Sequence, residues 1–240
     1  MPDSNIILSF NIDAWLAHSD GISQPSDWQQ WSKTLAWPVD GKAPVNAIPP
    51  MMRRRMSSLS KLAVQTSIEL LEQHEVDYLV FASRHGELTR SAQLIQDVVA
   101  GEEASPMAFS QSVHNTAAGL ATIATKKPIP LTSIAAGDNT FQSALLEAWV
   151  YLKSNPEHKV MLVDFDEPLP EVYNQYEEFE YRGYALGLIL SAGDEIRVAS
   201  QSGSDFKPPL PQALDFIRHY VSDDSSWQTH SRTQSWVWQR

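Results

Sequence analysis

The chain has 240 residues, a formal net charge of −11 and no cysteine. Its length suits one large α/β domain with a full hydrophobic core, and its acidic balance argues against nucleic-acid and anionic-membrane binding, which both need a basic face. Without cysteine, no disulfide, thiolate metal site or cysteine nucleophile is expected.

The first predicted elements are a strand, a long loop and a helix. A short apolar run predicts a strand at residues 6–10. Residues 19–50 are rich in Trp, Pro, Gly and Ser, and they are predicted as a loop insertion with one helical turn. An apolar stripe without Gly or Pro then predicts a helix at 56–74, and a buried strand is predicted at 77–82.

Helices and strands alternate through the middle of the chain. Helices are predicted at 88–100, at 109–125 and around the apolar face 141–152. The helix at 109–125 is predicted to have a core face made of Val113, Ala117, Leu120, Ala121 and Ala124. Most of these residues are small, which favours a central, closely packed position. Short apolar strands are predicted at 131–134 and 160–163.

The last third of the chain is predicted to contain a β-hairpin and a helical tail. Strands at 184–191 and 195–200 are separated by a Gly-Asp pair, which is typical of a tight hairpin turn. A helix at 212–221 precedes a polar segment that ends in a Trp-rich stretch. The alternation of strands and helices predicts an α/β fold with a mostly parallel mixed sheet and helices on both faces.

Common catalytic motifs are missing from the sequence. It contains no Gly-rich nucleotide loop, no G-x-S-x-G elbow and no H-E-x-x-H helix. None of the seven histidines lies four residues from another, so neither a metal nor a cofactor is predicted.

Two charged segments can each be interpreted as structural or as functional. Arg53, Arg54 and Arg55 are predicted at a helix N-terminus, where the helix dipole disfavours cations. Intrachain ion pairs are the favoured interpretation of this triplet and phosphate binding the alternative. Residues 171–180 contain four glutamates and three aromatics. They are interpreted as a partly buried, solvated loop, with a catalytic carboxylate pair as the alternative.

Two neighbouring segments resemble β-ketoacyl synthases. Residues 105–119, Ser-Pro-Met-Ala-Phe-Ser-Gln-Ser-Val-His-Asn-Thr-Ala-Ala-Gly, resemble the stretch in which Ser-Pro leads into a helix with Asn and small residues. Residues 131–137, Leu-Thr-Ser-Ile-Ala-Ala-Gly, lie where a ketosynthase carries Thr-Ala-Cys-x-Ser-Gly. The helix that follows is similar to the helix behind that nucleophile.

Further matches extend the resemblance over about residues 50–200. Residues 54–56, Arg-Arg-Met, resemble the entry to the first core helix of the family, and residues 82–88 resemble its glycine-rich loop. Residues 160–167 resemble the strand that ends in Gly-x-Glu. Residues 183–190 resemble the strand that closes the N-terminal half. The order and spacing of these matches are more specific than any one of them.

The chain is most similar to ketosynthase-like N-terminal-domain proteins, which are relatives of chain-length factors encoded with aryl-polyene biosynthesis genes. The resemblance implies a thiolase-like fold, corresponding to half of a ketosynthase. It assigns residues 1–204 to the ketosynthase-like domain and residues 205–240 to a C-terminal helix and Trp-rich tail.

Two departures from the family pattern imply a catalytically silent chain. Ile134 occupies the nucleophile position, where many chain-length factors carry Gln, and the sequence ends where an active ketosynthase would begin the half with its catalytic histidines. A β-branched residue is disfavoured at positive φ. Therefore either the elbow is relaxed, or Ala135 occupies its apex.

The resemblance implies a non-enzymatic subunit that pairs with an active β-ketoacyl synthase and shapes its acyl channel. The complex would be an acyltransferase served by acyl carrier protein. The resemblance places four residues along the channel: His85, Met107, Phe109 and Ser112. It also places five residues in the dimer interface: Asn115, Leu131, Thr132, Ser133 and Ile134.

The start of the chain lacks a basic signal-peptide region and no apolar run reaches the roughly 18–20 residues of a membrane span, so the cytoplasm is the predicted compartment.

Two other functions remain open from the sequence. The chain could be a free-standing acyl hydrolase that uses Ser133 or Ser143 as nucleophile with His85 or His114 as base. It could also be a homodimeric acyl-binding scaffold. Thioester turnover by the isolated chain identifies the hydrolase, and co-purification with a ketosynthase excludes the scaffold.

Overall fold

The computed structural model describes residues 8–202, 209–232 and 234–240. The strands are β1 Leu8–Ser19, β2 Tyr78–Ala82, β3 Leu131–Ile134, β4 Lys159–Asp166, β5 Tyr184–Ser202, β6 Ser226–His230 and β7 Gln234–Gln239. The helices are α1 Pro25–Thr34, α2 Pro50–Arg53, α3 Ser58–Gln73, α4 Leu88–Val99, α5 Pro106–Ser110, α6 Thr116–Thr125, α7 Thr140–Ser154 and α8 Gln212–Tyr220. Short 3-10 helices lie at Gly137–Asn139 and Glu171–Tyr176.

The described strands form one mixed sheet in the order β3-β2-β4-β5-β7-β6, with β1 also paired to β5. The parallel pairings among the described strands are those of β2 with β3 and with β4. The other described pairings are antiparallel. The mixed sheet is therefore confirmed, but the prediction that it is mostly parallel is wrong. The alternation that suggested it holds only from β2 to β4.

Helices cover both faces of the sheet, as predicted. In β4, Val160 and Leu162 point into the core cluster that contains α7, α8 and the tail tryptophans. Met161 and Val163, on the opposite face, point into the cluster with α3 and α6. All four are fully buried, so β4 is a central strand with a core on each side.

The N-terminal region is more regular than the sequence suggested. The predicted strand at 6–10 continues to Ser19, while residues 6 and 7 lie outside the described residues. The predicted loop at 19–50 contains α1, which buries Trp28 and Trp31 in the core. The interpretation of this segment as a loop with one helical turn is therefore wrong for its first half.

The predicted hairpin at Gly193-Asp194 is wrong, because β5 is one long strand. Phe10 of β1 pairs with Ile196, and the next residue of β1, Asn11, pairs with Ser191, so residues 192–195 bulge out. The Asn11 side chain fills this bulge, and its Oδ1 accepts a hydrogen bond from the Glu195 amide at 3.2 Å. A Cβ on Gly193 would lie 2.0 Å from that oxygen, so a larger residue here would displace the Asn11 side chain from the bulge.

The predicted helix at 109–125 is two helices, α5 and α6, separated by residues 111–115. The interruption has a tertiary cause, since His114 in this segment bonds to the Ser83 carbonyl oxygen. Val113, predicted in the core, is half exposed. Ala117 and Ala121 are buried as predicted, and α6 packs on α3.

The described part of the tail packs against the rest of the chain. The helix predicted at 212–221 is confirmed as α8. The polar segment and the Trp-rich stretch that follow α8 form the β6–β7 hairpin, which the sequence did not predict. Its strand β7 extends the sheet from β5. The Trp238 indole is fully buried and contacts Phe141 of α7 and Phe216 of α8.

The basic triplet lies before α3 and not at its first turn. Ser57 caps α3 by accepting the Ser60 amide at 2.9 Å, so the helix-dipole conflict does not arise. Arg53 donates to the Val45 carbonyl at 3.1 Å. Within the described ranges none of the three arginines forms an ion pair, so the expectation of intrachain ion pairs is wrong.

Candidate functional site

The carboxyl ends of β2, β3 and β4 meet at one edge of the sheet, because these strands are parallel. Ligand sites of open α/β sheets commonly lie at this edge. Two turns and one strand end lie at this edge. The turns are residues 83–86 after β2 and residues 135–139 after β3, which we call the elbow turn, and the strand end is Asp166 of β4.

Asp166 fixes the turn after β2. Its carboxylate accepts hydrogen bonds from the Ser83 hydroxyl at 2.8 Å and from the backbone amides of Arg84 and His85, at 2.9 and 3.4 Å. The Ser83 hydroxyl in turn accepts the Gly86 amide at 2.7 Å. The turn is thereby tied to the central strand β4.

Gly86 and His114 bring this turn against the start of α6. The ring Nε2 of His114 donates to the Ser83 carbonyl at 2.8 Å. Gly86 has a φ of +56°, and a Cβ there would lie 3.0 Å from the His114 ring and 3.2 Å from its Cα. Both the backbone conformation and the close approach require glycine at this position.

An ion-pair ring joins the elbow turn to three distant segments. Arg84 pairs with Asp138 of the elbow turn at 3.0 Å and with Glu178 at 3.3 Å, and it lies over the Phe179 ring. Arg232 of the tail also pairs with both of these carboxylates. Hydrogen bonding from Arg232 is the largest cause that lowers the pKa of Glu178. Six of the residues 171–180 are exposed and four are half-buried, which confirms the interpretation as a partly buried, solvated loop. Glu178 ties this loop to the elbow turn through the two arginines.

A cavity of about 30 Å³ lies beneath the ring, with Asp164 and Asp166 on its wall. Both carboxylates are buried, and Asp164 accepts a hydrogen bond from the Tyr184 hydroxyl at 2.7 Å. Burial, and then the nearby Asp166 charge, raises the pKa of Asp164, and burial raises the pKa of Asp166 to about 6. The start of α8 closes the cavity through Pro211 and Gln212.

The elbow turn lacks the strained backbone of a nucleophile elbow. Ile134 is the half-buried last residue of β3, and Ala135 and Ala136 are exposed. In the described chain the non-glycine residues with positive φ are Leu35, Lys126 and Asp223. Gly137 takes the positive φ of this turn, at 58°, so the steric objection to Ile134 does not arise.

The predicted channel residues lie in two environments. His85 and Ser112 are half-buried, and burial lowers the pKa of His85. Their segments adjoin, because His114 bonds to the turn that carries His85. Met107 and Phe109 instead lie on the surface of α5, with 49% and 68% of their areas exposed.

The predicted interface residues lie along the free edge of the sheet. In the part of the chain that the structure describes, β3 has one neighbour, β2. Asn115, Leu131, Thr132 and Ser133 line a shallow groove of about 410 Å³ together with His114. Ile134 ends the same strand.

Large apolar side chains are exposed on β3 and on the helices α4, α5, α6 and α7 and the segment between α5 and α6. We name this set the apolar surface, and it comprises Ile95, Val98, Val99, Met107, Phe109, Val113, Ile123, Leu131, Leu146 and Val150. Three of its members, Met107, Phe109 and Leu131, are residues that the family resemblance singled out. The exposure of the others was not predicted, because a single sequence does not show which helices remain uncovered.

The proposed hydrolase residues are not assembled into a dyad. Neither His85 nor His114 hydrogen-bonds to Ser133 or Ser143 among the described residues, and the Nε2 of His114 is engaged by the Ser83 carbonyl. The Ser133 hydroxyl is buried without a hydrogen-bond partner in the described chain. A serine nucleophile needs a base in contact, so the geometry disfavours this function.

Comparison with known proteins identifies the family. Residues 28–239 match the family model of the β-ketoacyl synthase N-terminal domain. The chain belongs to this family, and the predicted resemblance and thiolase-like fold are confirmed. No curated protein matches the sequence. Within the described ranges, no helix is long and apolar enough to cross a membrane.

Solved structures show the same fold. A chain from the structure of the ketosynthase ApeO in complex with its chain length factor ApeC, from Xenorhabdus doucetiae, is 34% identical with a TM-score of 0.90. The match covers 97% of this chain and 100% of that chain. The ishigamide ketosynthase/chain length factor is 16% identical with a TM-score of 0.61, over 82% of this chain and 68% of that one. A ketosynthase from module 6 of the bacillaene synthase of Bacillus subtilis 168 is 10% identical with a TM-score of 0.54, over 83% of this chain and 42% of that one.

Proposed function

We propose that the chain is a non-catalytic, chain-length-factor-like subunit that pairs with an active β-ketoacyl synthase and shapes the channel for its acyl product. The observation that carries the proposal is the open β3 edge within the apolar surface. The 34% identical chain comes from the structure of a ketosynthase in complex with its chain length factor, which supports the same pairing.

The backbone of β3 is available for pairing with another chain. The Pro130 carbonyl accepts the Leu79 amide of β2 at 3.0 Å, and the Ile134 carbonyl accepts the amide of Ser83, directly after β2, at 3.1 Å. Alternate residues of a parallel strand face opposite neighbours. Leu131 and Ser133 therefore present their amide and carbonyl groups to the open edge. Such an edge is a template for a strand of a partner.

The apolar surface supports a stable, and not a fleeting, partnership. Soluble monomers rarely expose large contiguous apolar patches. An obligate partner that covers such a surface commonly buries about 2,000 Å² or more. We expect the isolated chain to self-associate or aggregate, because this surface then stays in water.

Catalytic silence follows from the residue at the nucleophile position. The hydrocarbon side chain of Ile134 cannot attack a thioester. Loss of a covalent nucleophile alone typically reduces the rate by on the order of 10⁶. The chemistry would then belong to the cysteine of the partner ketosynthase.

The isolated chain is therefore expected to form no β-keto product. It is incubated with acyl and malonyl thioesters of a carrier protein, and the product is followed by mass spectrometry. An active ketosynthase under the same conditions is the positive control. Condensation by the isolated chain above background would contradict catalytic silence.

In the proposed complex, Met107 and Phe109 lie under the partner and close the acyl channel together with His85 and Ser112. Their exposure in the isolated chain supports this, since a residue that lines an intersubunit channel is uncovered without its partner. The bulk at the closed end of a channel limits product length, and one methylene contributes roughly 1 kcal/mol there.

Met107→Ala and Phe109→Ala are expected to lengthen the product of the complex by about one elongation step or more. Chain lengths are compared with wild type by mass spectrometry, and assembly is checked by gel filtration. Val172→Ala is the matched control, because Val172 is similarly exposed but lies outside the apolar surface. Unchanged lengths in an intact complex would assign both residues to packing.

Acyl carrier protein is the proposed source of the acyl chain, and aryl-polyene biosynthesis the proposed pathway. A groove of about 970 Å³ is lined by four bases, Lys42, Arg53, Lys61 and Arg182, and by three acids, Asp20, Asp40 and Glu167. Lys42 pairs with Asp20, but Lys61 and Arg182 form no ion pair within the described ranges. On a chain with a net charge of −11, a groove in which bases slightly outnumber acids would favour an anionic partner.

A further inference from the structure

The cavity beneath the ion-pair ring combines two acids with an unpartnered acceptor. Asp164 and Asp166 are two residues apart on β4, so both side chains point to the same face of the sheet. Gln212, at the first position of α8, lines the same cavity and is only 6% exposed. Its Oε1 has no hydrogen-bond partner among the described residues, while its amide nitrogen donates to Asn139 at 3.1 Å.

The two acids are not equally suited to carry charge. Asp166 accepts hydrogen bonds from the Ser83 hydroxyl and two backbone amides, which favour its ionised form. Asp164 has one donor, the Tyr184 hydroxyl. A buried charge without such partners is costly, so the group takes up a proton instead.

The charges around Asp164 do not supply a counterion. Arg84 is already shared by Asp138 and Glu178 in the ion-pair ring. Six titratable or charged groups from the packed elements face Asp164 around the cavity: Arg84, Asp138, Asp166, Tyr181, Tyr184 and His230. The nearest of these along the sheet, Asp166, is itself an acid, and its charge opposes ionisation of Asp164.

We infer that Asp164 and Asp166 bind a single proton, held on Asp164, and that this proton bridges through a water molecule in the cavity to Gln212 Oε1, which fastens the start of α8 over the elbow turn. A cavity of this size has room for a water molecule, and both walls offer it polar partners. The inference does not depend on the proposed function, because it concerns this chain alone.

The water bridge makes the packing of the start of α8 over the elbow turn sensitive to pH. We call this packed arrangement the closed state. Because burial raises the pKa of Asp164, the folded closed state binds a proton that the opened state releases. That stabilisation is complete at acidic pH and is lost as the pH rises through the pKa of the closed state. Between the pKa of the opened state and that of the closed state, opening of the first turn of α8 is expected to become about tenfold more frequent per pH unit, and above the pKa of the closed state this dependence ends.

Hydrogen exchange tests this in the full chain. Exchange of residues 209–217 is measured by mass spectrometry from pH 6 to 9, with correction for the intrinsic pH dependence of exchange. Wild type should open progressively with pH. Asp164→Asn, which stays neutral and still accepts from Tyr184, should show a flat corrected profile. Asp194→Asn, an exposed control, should behave as wild type.

A flat wild-type profile, or the same slope in Asp164→Asn, would overturn the inference. If Asp164→Asn does not fold, infrared spectroscopy of the wild type decides the matter. The carbonyl band of a protonated carboxylic acid should be present at neutral pH and disappear at alkaline pH. Absence of that band at neutral pH would equally overturn the inference.

Discussion

Leu131→Arg is expected to weaken the complex with the ketosynthase about 30- to 1,000-fold, because hot-spot residues at the centre of an interface contribute about 2–4 kcal/mol. Leu131 lies on the open edge of the sheet with 36% of its area exposed. An arginine there remains solvated in the free chain. In the complex the guanidinium would be buried without a carboxylate to pair with, which is strongly unfavourable.

The control for this variant is Val172→Arg. Val172 is 48% exposed on the 3-10 helix Glu171–Tyr176, outside the apolar surface. It should leave the dissociation constant, measured by surface plasmon resonance, within about threefold of wild type. Equal binding by Leu131→Arg and wild type would remove the β3 edge from the interface, provided that circular dichroism shows both to be folded.

Trp238→Ala is expected to lower the free energy of unfolding by about 3–5 kcal/mol, a large share of the stability of a domain. The indole is fully buried, and its Nε1 donates to the Thr229 hydroxyl at 3.0 Å. That hydroxyl also accepts from Gln142 of α7 at 3.0 Å. The substitution therefore opens a cavity and loosens the hairpin from the helix that follows the elbow turn.

Urea denaturation followed by circular dichroism measures this loss. Trp149→Ala, at a half-buried position on α7, is the matched tryptophan control and should cost clearly less. If Trp238→Ala unfolds with a midpoint close to wild type, the tail does not contribute to the core in the way that its packing indicates.

Elements defined by local pattern were predictable from the sequence. The strand β3 was predicted with its observed bounds, and α3, α4 and α8 to within a few residues. In each case a continuous or periodic apolar pattern lies between polar or glycine boundaries. Such patterns depend on neighbouring residues alone, so one sequence contains the necessary information.

The errors arise where distant residues decide the local structure. The side chain of Asn11 supports the bulge at Gly193, from the opposite end of the chain. His114 interrupts the expected long helix because it bonds to Ser83. No local pattern in residues 191–196 or 109–125 reports these contacts, so a hairpin and a single helix were the reasonable local predictions.

The candidate site was only partly predictable for the same reason. Family resemblance directed attention to Ile134 and the strand before it. The ion-pair ring of Arg84, Asp138, Glu178 and Arg232 joins four segments that are far apart in sequence. Asp164 and Asp166 were not predicted as site residues, because they lie within a predicted buried segment. Two acids in an otherwise apolar run are a sequence signal that could have identified them.

Native mass spectrometry of the chain co-expressed with the intact ketosynthase of its own genome determines whether the two proteins form a complex. We expect a one-to-one heterodimer that persists through purification. Two results would contradict it: a ketosynthase homodimer beside a monomer of this chain, or a homodimer of this chain that excludes the ketosynthase. The second of these would favour the scaffold function instead.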